Sequence, residues 1–334
     1  MAVRRSTVVA VAAAMLTMPV GAAPAVTRAA APAVSPVDFT VSLDAGGSGS
    51  GPHYHVRGFR YAGTALPATA VLLLHGLSYG YWAWDFPIAG PPGEPFRYST
   101  ARDLASHGYD AVAVDELGYG HSDHPSGAAA RQLTVQAYAS MAHQIVQQLR
   151  STHRRVVIVG HSAGAEISNY EAGRYRDVDG LVDMSMCDAG ASPEVFGDIA
   201  VNDTAGAGAD YGYFGGDQGE RTRLMYAQSA ADPAIVTRDN AMANLTPTAE
   251  MQSISLQPAR TLDAMVTAPV LVAFSENDAI FPPSCQQLQP SLYRQSPTVT
   301  VFTLAAAGHT MMLHRNAAAL EQALVGWLGR VAPG

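Results

Sequence analysis

A serine flanked by small residues follows a short apolar run in the middle of the chain. The segment Gly160–Gly164, of sequence G-H-S-A-G, comes directly after the run Val156–Val159 and directly before a segment with a helical pattern. A strand, a sharp turn and a helix in this order lift a serine hydroxyl above a sheet, and the strained turn requires small neighbours. The pattern therefore predicts Ser162 as a nucleophile that attacks a carbonyl carbon.

A serine hydroxyl is a poor nucleophile near neutral pH, so it needs a base beside it and an acid that orients the base. Two candidates follow in the chain, each soon after an apolar run: Asp278 after Val270–Phe274, and His309 after Val299–Leu304. Open α/β sheets place their ligands at the carboxyl ends of the strands. We therefore expect Asp278 and His309 to lie close to Ser162, as the acid and the base.

The elements that must position these residues are short strands alternating with helices. Six uninterrupted apolar runs are typical of strands buried on both faces: Val71–Leu74, Ala111–Val114, Val156–Val159, Leu181–Met186, Val270–Phe274 and Val299–Leu304. Ahead of them, Phe39–Leu43 and Tyr54–Tyr61 alternate apolar with polar residues and predict an antiparallel hairpin. The order predicts an α/β fold, a mostly parallel sheet with helices on both faces.

Helical patterns lie between the runs, at Thr134–Arg150, Thr100–His107 and about Thr310–Leu328. The alternation breaks at about residues 191–260, where no convincing strand appears. A structureless loop of that length is uncommon in a compact domain. We therefore expect a cap insertion over the carboxyl edge of the sheet, within one domain that spans residues 37–334.

Four motifs in order resemble the α/β-hydrolase superfamily, from about Phe39 to the C-terminus. They are His75-Gly76 after the first apolar run, the D-x-x-G-x-G-x-S turn at Asp115–Ser122, the serine turn, and the late acid and histidine. The resemblance, to a capped esterase or lipase with a serine nucleophile, implies an eight-stranded sheet whose first pair runs antiparallel to the rest. It implies a cap after the sixth strand and an oxyanion hole formed by the N–H groups of Leu77 and Ala163.

The resemblance leaves the acid partly open. Ser275 stands where the family commonly has glycine before the acid, Glu276 is close to Asp278, and Asp188 is at a position that some members use. For the base, His314 competes less well with His309, because it falls inside the predicted C-terminal helix.

The serine nucleophile steers the resemblance away from haloalkane dehalogenases and epoxide hydrolases, which leaves acyl transfer to water. We expect a serine hydrolase that cleaves a small-molecule carboxylic ester or lactone through an acyl-enzyme intermediate, without a cofactor. Two other classes stay open: carbon–carbon bond hydrolysis or perhydrolysis by the same triad, and a non-catalytic binding module of the same fold.

Composition excludes several other functions. All 20 cationic side chains are arginine, so a Schiff-base lysine, a pyridoxal-phosphate anchor and a P-loop lysine are impossible. With a formal net charge of -8 and only 14% charged residues, the chain has no basic footprint for nucleic acid. The pairs His53/His55 and His121/His124 have no third ligand at metal-site spacing, and the acidic residues between 203 and 220 do not follow the EF-hand pattern. We therefore expect no metal site.

The N-terminus has the layout of a secretory signal peptide: Arg4-Arg5, an apolar stretch Val8–Val20, and small residues that follow. The stretch is shorter than the roughly 20 residues that span a bilayer, so no stable membrane anchor is expected. We expect a signal peptide and flexible leader over residues 1–36, and a secreted, extracellular protein. Export makes coenzyme A and carrier-protein thioesters poor substrate candidates.

Aromatic residues after the oxyanion segment, among them Tyr79 and Trp82, predict an apolar substrate pocket shared with aromatics of the cap. An equal alternative is that they pack the cap onto the core. The resemblance also places the strands before Cys187 and Cys285, the only two cysteines, side by side. In an exported protein this arrangement implies a disulfide between them.

Overall fold

The computed structural model describes residues 32–44, 50–63, 68–188, 190, 209–215, 217–256 and 260–333. The predicted signal peptide, most of the leader and the first part of the predicted cap, residues 191–208, lie outside the described residues. Within the described ranges, no helix is both long and apolar enough to cross a membrane.

The six apolar runs and the N-terminal hairpin form one eight-stranded sheet. Its strands are β1 Ala33–Ser42, β2 His53–Ala62, β3 Thr69–Leu74, β4 Asp110–Val114, β5 Arg155–His161, β6 Gly180–Met184, β9 Val270–Ser275 and β10 Val299–Leu304. They lie in the order β1-β2-β4-β3-β5-β6-β9-β10. Every residue of β3, β4, β6 and β9 is buried, as uninterrupted apolar runs predict. The predicted α/β fold with a mostly parallel sheet is confirmed.

The N-terminal hairpin differs from the prediction in two details. Only β2 runs against the other strands, because a hairpin reverses the chain and β1 therefore points the same way as the central strands. In addition, β1 begins at Ala33 rather than Phe39, since Ala33–Pro36 pair with Phe59–Ala62 of β2. Four residues assigned to the leader therefore belong to the sheet.

Two pairs of helices pack on the sheet. Helices α2 (Val135–Arg150) and α3 (Ala163–Tyr175) contact each other and β5, while α1 (Thr100–Ser106) and the C-terminal α9 (Ala317–Val331) contact each other near β4 and β10. Thr134 caps α2 as its sequence suggests, its side chain accepting a hydrogen bond from an N–H of the first turn.

The described part of the cap follows β6 and is mainly helical. It comprises α4 Gln218–Met225, α5 Pro233–Met242, α6 Thr248–Leu256 and α7 Arg260–Asp263. A two-stranded ribbon, β7 (Tyr211–Gly212) and β8 (Thr246–Pro247), was not expected, because strands of two residues carry no alternation that a sequence could reveal. After the cap, α8 spans Cys285–Leu292. Its first residue forms the expected disulfide with Cys187, which joins the chain after β6 to the chain after β9.

Candidate active site

Ser162 lies at the tight turn between β5 and α3, in a backbone conformation that few residues adopt. Its φ is 56° and its ψ is -122°, and its N–H donates to the carbonyl of Met184 at 2.9 Å. A Cβ at Gly160 would lie 2.1 Å from the Gly164 oxygen, and a Cβ at Gly164 would lie 2.4 Å from the His75 oxygen. Neither atom can move away, because both belong to the backbone. The small residues of the motif are therefore a steric requirement of the turn.

The structure brings the three predicted side chains together. The Oγ of Ser162 lies 2.8 Å from Nε2 of His309, whose Nδ1 lies 2.9 and 3.1 Å from the two carboxylate oxygens of Asp278. The side chains of His309 and Asp278 are 0% and 2% exposed. The N–H groups of Ile280 and Phe281 both donate to Oδ1 of Asp278, which fixes the carboxylate.

The alternative acids make other contacts. Asp188 accepts hydrogen bonds from the side-chain amides of Asn169 and Gln289, and Glu276 accepts one from the N–H of Ala306. His314 lies between a short 3-10 helix and α9 rather than inside a helix. Its Nε2 accepts the N–H of Gly308, so it braces the loop that carries His309.

His161, a residue that the sequence analysis did not identify, also holds the loop that carries His309. Its Nε2 donates to the carbonyl oxygen of His309 at 3.0 Å, and the hydroxyl of Ser185 donates to that oxygen at 2.9 Å. Burial, followed by the nearby His309, lowers the pKa of His161 to about 3. His161 is therefore neutral at ordinary pH, and it orients the loop without placing a second charge beside His309.

The two predicted oxyanion donors lie on segments that touch. A Cβ at Gly76 would come within 2.9 Å of the Ser162 Cβ, so only glycine lets the segment before Leu77 approach the nucleophile. Neither Leu77 nor Ala163 donates its N–H to another described residue. Nδ1 of the neutral His75 donates to the carbonyl of Gly76, and its Nε2 accepts the N–H of Glu116, consistent with a pKa lowered by burial.

The D-x-x-G-x-G-x-S motif forms a turn that supports this segment. Asp115 accepts the N–H groups of Tyr81 and His121, each at 2.8 Å. Gly120 is in the left-handed region at φ 47°, and a Cβ there would lie 2.3 Å from the Asp115 carboxylate. The turn therefore ties the segment after Leu77 to the end of β4.

A buried group of side chains joins the cap to the segment after Leu77. We call it the clasp; it consists of Arg221, Tyr226 and Asp239 of the cap and of Tyr79. Two guanidinium nitrogens of Arg221 donate to the two oxygens of Asp239, each at 3.0 Å, and the hydroxyls of Tyr79 and Tyr226 donate to Oδ2 at 3.0 and 2.6 Å. The clasp fixes Tyr79 from the cap side.

Further contacts join the cap to the neighbouring Ser78, which is strained at φ 66°. Nε of Arg221 donates to the hydroxyl of Ser78 at 3.2 Å, and the backbone N–H of Ser78 donates to the hydroxyl of Thr246 at 3.0 Å. The Asn244 side chain donates to the carbonyl of Tyr79 at 2.8 Å. The cap therefore determines the path of the backbone directly after Leu77.

Tyr79 and Trp82, predicted to bind substrate, pack on each other with ring centroids 5.1 Å apart. Both are buried. Their role toward a substrate stays a prediction. The histidine pairs in turn have separate partners: His55 contacts Asp38 and His121 contacts Asp115.

Comparison with known proteins agrees with this geometry. The profile of the Alpha/beta hydrolase family matches residues 71–323, which include the serine turn, the acid and the histidine. The chain belongs to the alpha/beta hydrolase family. No curated protein matches this alpha/beta hydrolase in sequence.

Solved structures resemble this alpha/beta hydrolase over nearly their full length. A thermophilic esterase from Thermogutta terrifontis has a TM-score of 0.67 and 20% identity, covering 88% of this chain and 99% of its own. A putative aryl esterase from Burkholderia cenocepacia has a TM-score of 0.65 and 19% identity, with coverages of 88% and 99%. A monoacylglycerol lipase from Paleococcus ferrophilus has a TM-score of 0.62 and 17% identity, with coverages of 90% and 100%. At these identities, the likeness shows the fold.

Proposed function

We propose that this protein is a secreted serine hydrolase that cleaves a carboxylic ester or a lactone through an acyl-enzyme intermediate. The observation that carries the proposal is the chain of contacts from Ser162 Oγ to His309 Nε2 at 2.8 Å, and from His309 Nδ1 to Asp278 at 2.9 Å. A nucleophile, a base and an acid in this order are the arrangement that activates a serine.

In the proposed acylation step, Oγ of Ser162 bonds to the carbonyl carbon while its proton moves to Nε2 of His309. Asp278 accepts a hydrogen bond from Nδ1–H of His309, which holds the tautomer that leaves Nε2 free as a base, and it stabilises the imidazolium. His309 then gives its proton to the departing alcohol oxygen as the ester bond breaks. A water molecule repeats the sequence on the acyl-enzyme and releases the acid and the free serine.

The negative oxygen of each tetrahedral intermediate would bind to the N–H groups of Leu77 and Ala163. Two features support this role: both groups are without a described partner, and Ala163 opens α3, whose N-terminus favours negative charge. Donors that are fixed before reaction cost no reorganisation in the transition state. The buried contacts around Ser78 and His75 are consistent with such fixing.

Esterases and a lipase among the similar structures support an ester or lactone as substrate, and the packed aromatic rings of Tyr79 and Trp82 support a substrate with an apolar part. The signal-like N-terminus and the disulfide support secretion.

The test is steady-state hydrolysis of p-nitrophenyl esters of graded chain length, with lactones alongside. Ser162→Ala and His309→Ala should each lower kcat by about 10,000-fold to a million-fold, and the double variant should be little worse. Asp278→Asn should cost about 10,000-fold by favouring the wrong histidine tautomer. Ser168→Ala, on the same helix with its hydroxyl bonded to the Gly164 carbonyl, is the matched control and should keep turnover. Normal turnover by Ser162→Ala would remove the proposal.

A further inference from the structure

A second group of chemically active side chains lies at the opposite end of α3 from Ser162. His143 projects from α2, Glu171 lies in the last turns of α3, and Asp177 follows α3. One ligand atom from each lies within 4.8 Å of the other two. Nδ1 of His143 is 2.9 Å from Oδ2 of Asp177 and 3.8 Å from Oε1 of Glu171. His143 is 28 residues before Glu171 in the chain, so the sequence spacing does not reveal this group.

Four polar atoms of this group are buried without hydrogen bonds. Nδ1 of His143, both carboxylate oxygens of Glu171 and Oδ1 of Asp177 have no hydrogen-bond partner among the described residues. The contact of 2.9 Å between His143 and Asp177 is therefore short but not aligned as a hydrogen bond. A buried polar group without a partner costs about 1 to 3 kcal/mol, and more when it is charged. A cation bound between these atoms would satisfy them.

The surroundings hold these side chains in place. The ring of Tyr175 stacks on the ring of His143 with centroids 3.8 Å apart and planes 10° from parallel. The amide of Gln147 donates to Oδ2 of Asp177. A hydrogen bond such as that from Gln147 orients a carboxylate that binds a metal, and such hydrogen bonds are typical of metal sites. The side chains of His143 and Asp177 are 25% and 18% exposed, so this group is in contact with solvent.

We propose that His143, Glu171 and Asp177 bind one divalent transition-metal ion of the Zn²⁺ type. One imidazole nitrogen and two carboxylates form a mixed set that zinc accepts in tetrahedral geometry with a water as the fourth ligand. Ca²⁺ and Mg²⁺ prefer six or more oxygen ligands and fit this set less well.

The ion would stabilise the fold and take no part in the chemistry. Glu171 follows Ser162 by nine residues along α3, about 13 Å at the helical rise. An ion held there joins α2 to α3 and to the chain that leads into β6. The inference therefore stands whether or not the protein hydrolyses esters.

Isothermal titration of the purified, metal-stripped protein with ZnCl₂ tests the site directly. We expect one ion per chain with a Kd in the micromolar range or below, and CaCl₂ and MgCl₂ should bind far more weakly. At a hundredfold excess over Kd, zinc should raise the Tm by about 5 °C. Ester hydrolysis by the metal-stripped enzyme should stay unchanged, since the ion is remote from the triad.

His143→Ala and the isosteric Glu171→Gln should each weaken zinc binding by about a hundredfold or more. His107→Ala is the matched control: this exposed histidine contacts Asp103 one turn away on α1 but has no third ligand in the described part of the chain, and zinc binding should survive its loss. If His143→Ala fails to fold, Glu171→Gln decides, because it keeps the side-chain shape. Absence of a one-to-one zinc complex below about 100 µM, or unchanged affinity in both variants, would overturn the proposal.

Discussion

Replacement of Asp239 by alanine should destabilise the protein strongly, because the clasp depends on this carboxylate. Asp239 accepts four hydrogen bonds, two from Arg221 and one each from Tyr79 and Tyr226, and both ions are buried. The substitution removes the only carboxylate that the described contacts give Arg221, and leaves a guanidinium in a site closed to water.

The size of the expected loss in stability depends on the charge of Arg221 that is left without its partner, and not on the net stability of the Arg221–Asp239 ion pair. Breaking a buried ion pair on one side typically costs about 3 to 5 kcal/mol, because an uncompensated charge stays buried. Tyr226→Phe removes a single hydrogen-bond donor and should cost about 1 kcal/mol. Against a total stability on the order of 5 to 15 kcal/mol, the loss at Asp239 is a large fraction.

Urea unfolding followed by circular dichroism measures these differences. Asp239→Ala and Arg221→Met should each lower the free energy of unfolding, while the double variant Arg221→Met/Asp239→Ala should lose less than the sum of the two. The partly exposed pair Glu94–Arg97 is the control, and Glu94→Ala should change the free energy of unfolding by less than about 1 kcal/mol. A loss below about 1 kcal/mol for Asp239→Ala, or strict additivity in the double variant, would refute this reasoning.

Two further predictions concern stability. The double variant Cys187→Ala/Cys285→Ala opens a loop of 98 residues. The chain-entropy model gives a loss of about 4.7 kcal/mol in the free energy of unfolding at 25 °C. Urea unfolding measures this loss, and equal urea midpoints for the variant and the wild type would contradict it. Burial raises the pKa of Glu321 from an ordinary 4.5 to about 9, and the nearby charges of Asp103 and Glu94 add to the shift. Between these two pH values the folded protein therefore binds one more proton than the unfolded chain, so stability falls as pH rises through that window. Glu321→Gln should therefore be as stable as the wild type at pH 4 and more stable at pH 8. The difference in free energy of unfolding should grow with pH by up to about 1.4 kcal/mol per pH unit. A difference that does not depend on pH would show that Glu321 does not titrate as described.

Much of the sheet and the three proposed catalytic side chains could be predicted from the sequence, because each candidate follows a strand that its apolar run reveals. Ser162, Asp278 and His309 meet because the carboxyl ends of their strands share one edge of the sheet. The pairing of Cys187 with Cys285 follows from the same topology, since β6 and β9 are neighbours.

The supporting contacts could not be predicted, because they join distant parts of the chain. Asp239 meets Tyr79 across 160 residues, and His161 meets the carbonyl of His309 across 148. Side chains of this kind have no periodicity, and their partners are fixed only when the cap packs on the sheet. The predicted C-terminal helix likewise began too early, because His314 uses its ring to hold the loop before α9.

The central claim, that Ser162 is an activated nucleophile, is tested most directly by a fluorophosphonate probe followed by mass spectrometry of the labelled peptide. The account predicts one label per chain, on Ser162, with labelling lost in Ser162→Ala and kept in Ser168→Ala while all proteins remain folded by circular dichroism. A non-catalytic binding module would show no label. A label on another serine, or labelling that persists in Ser162→Ala, would contradict the account.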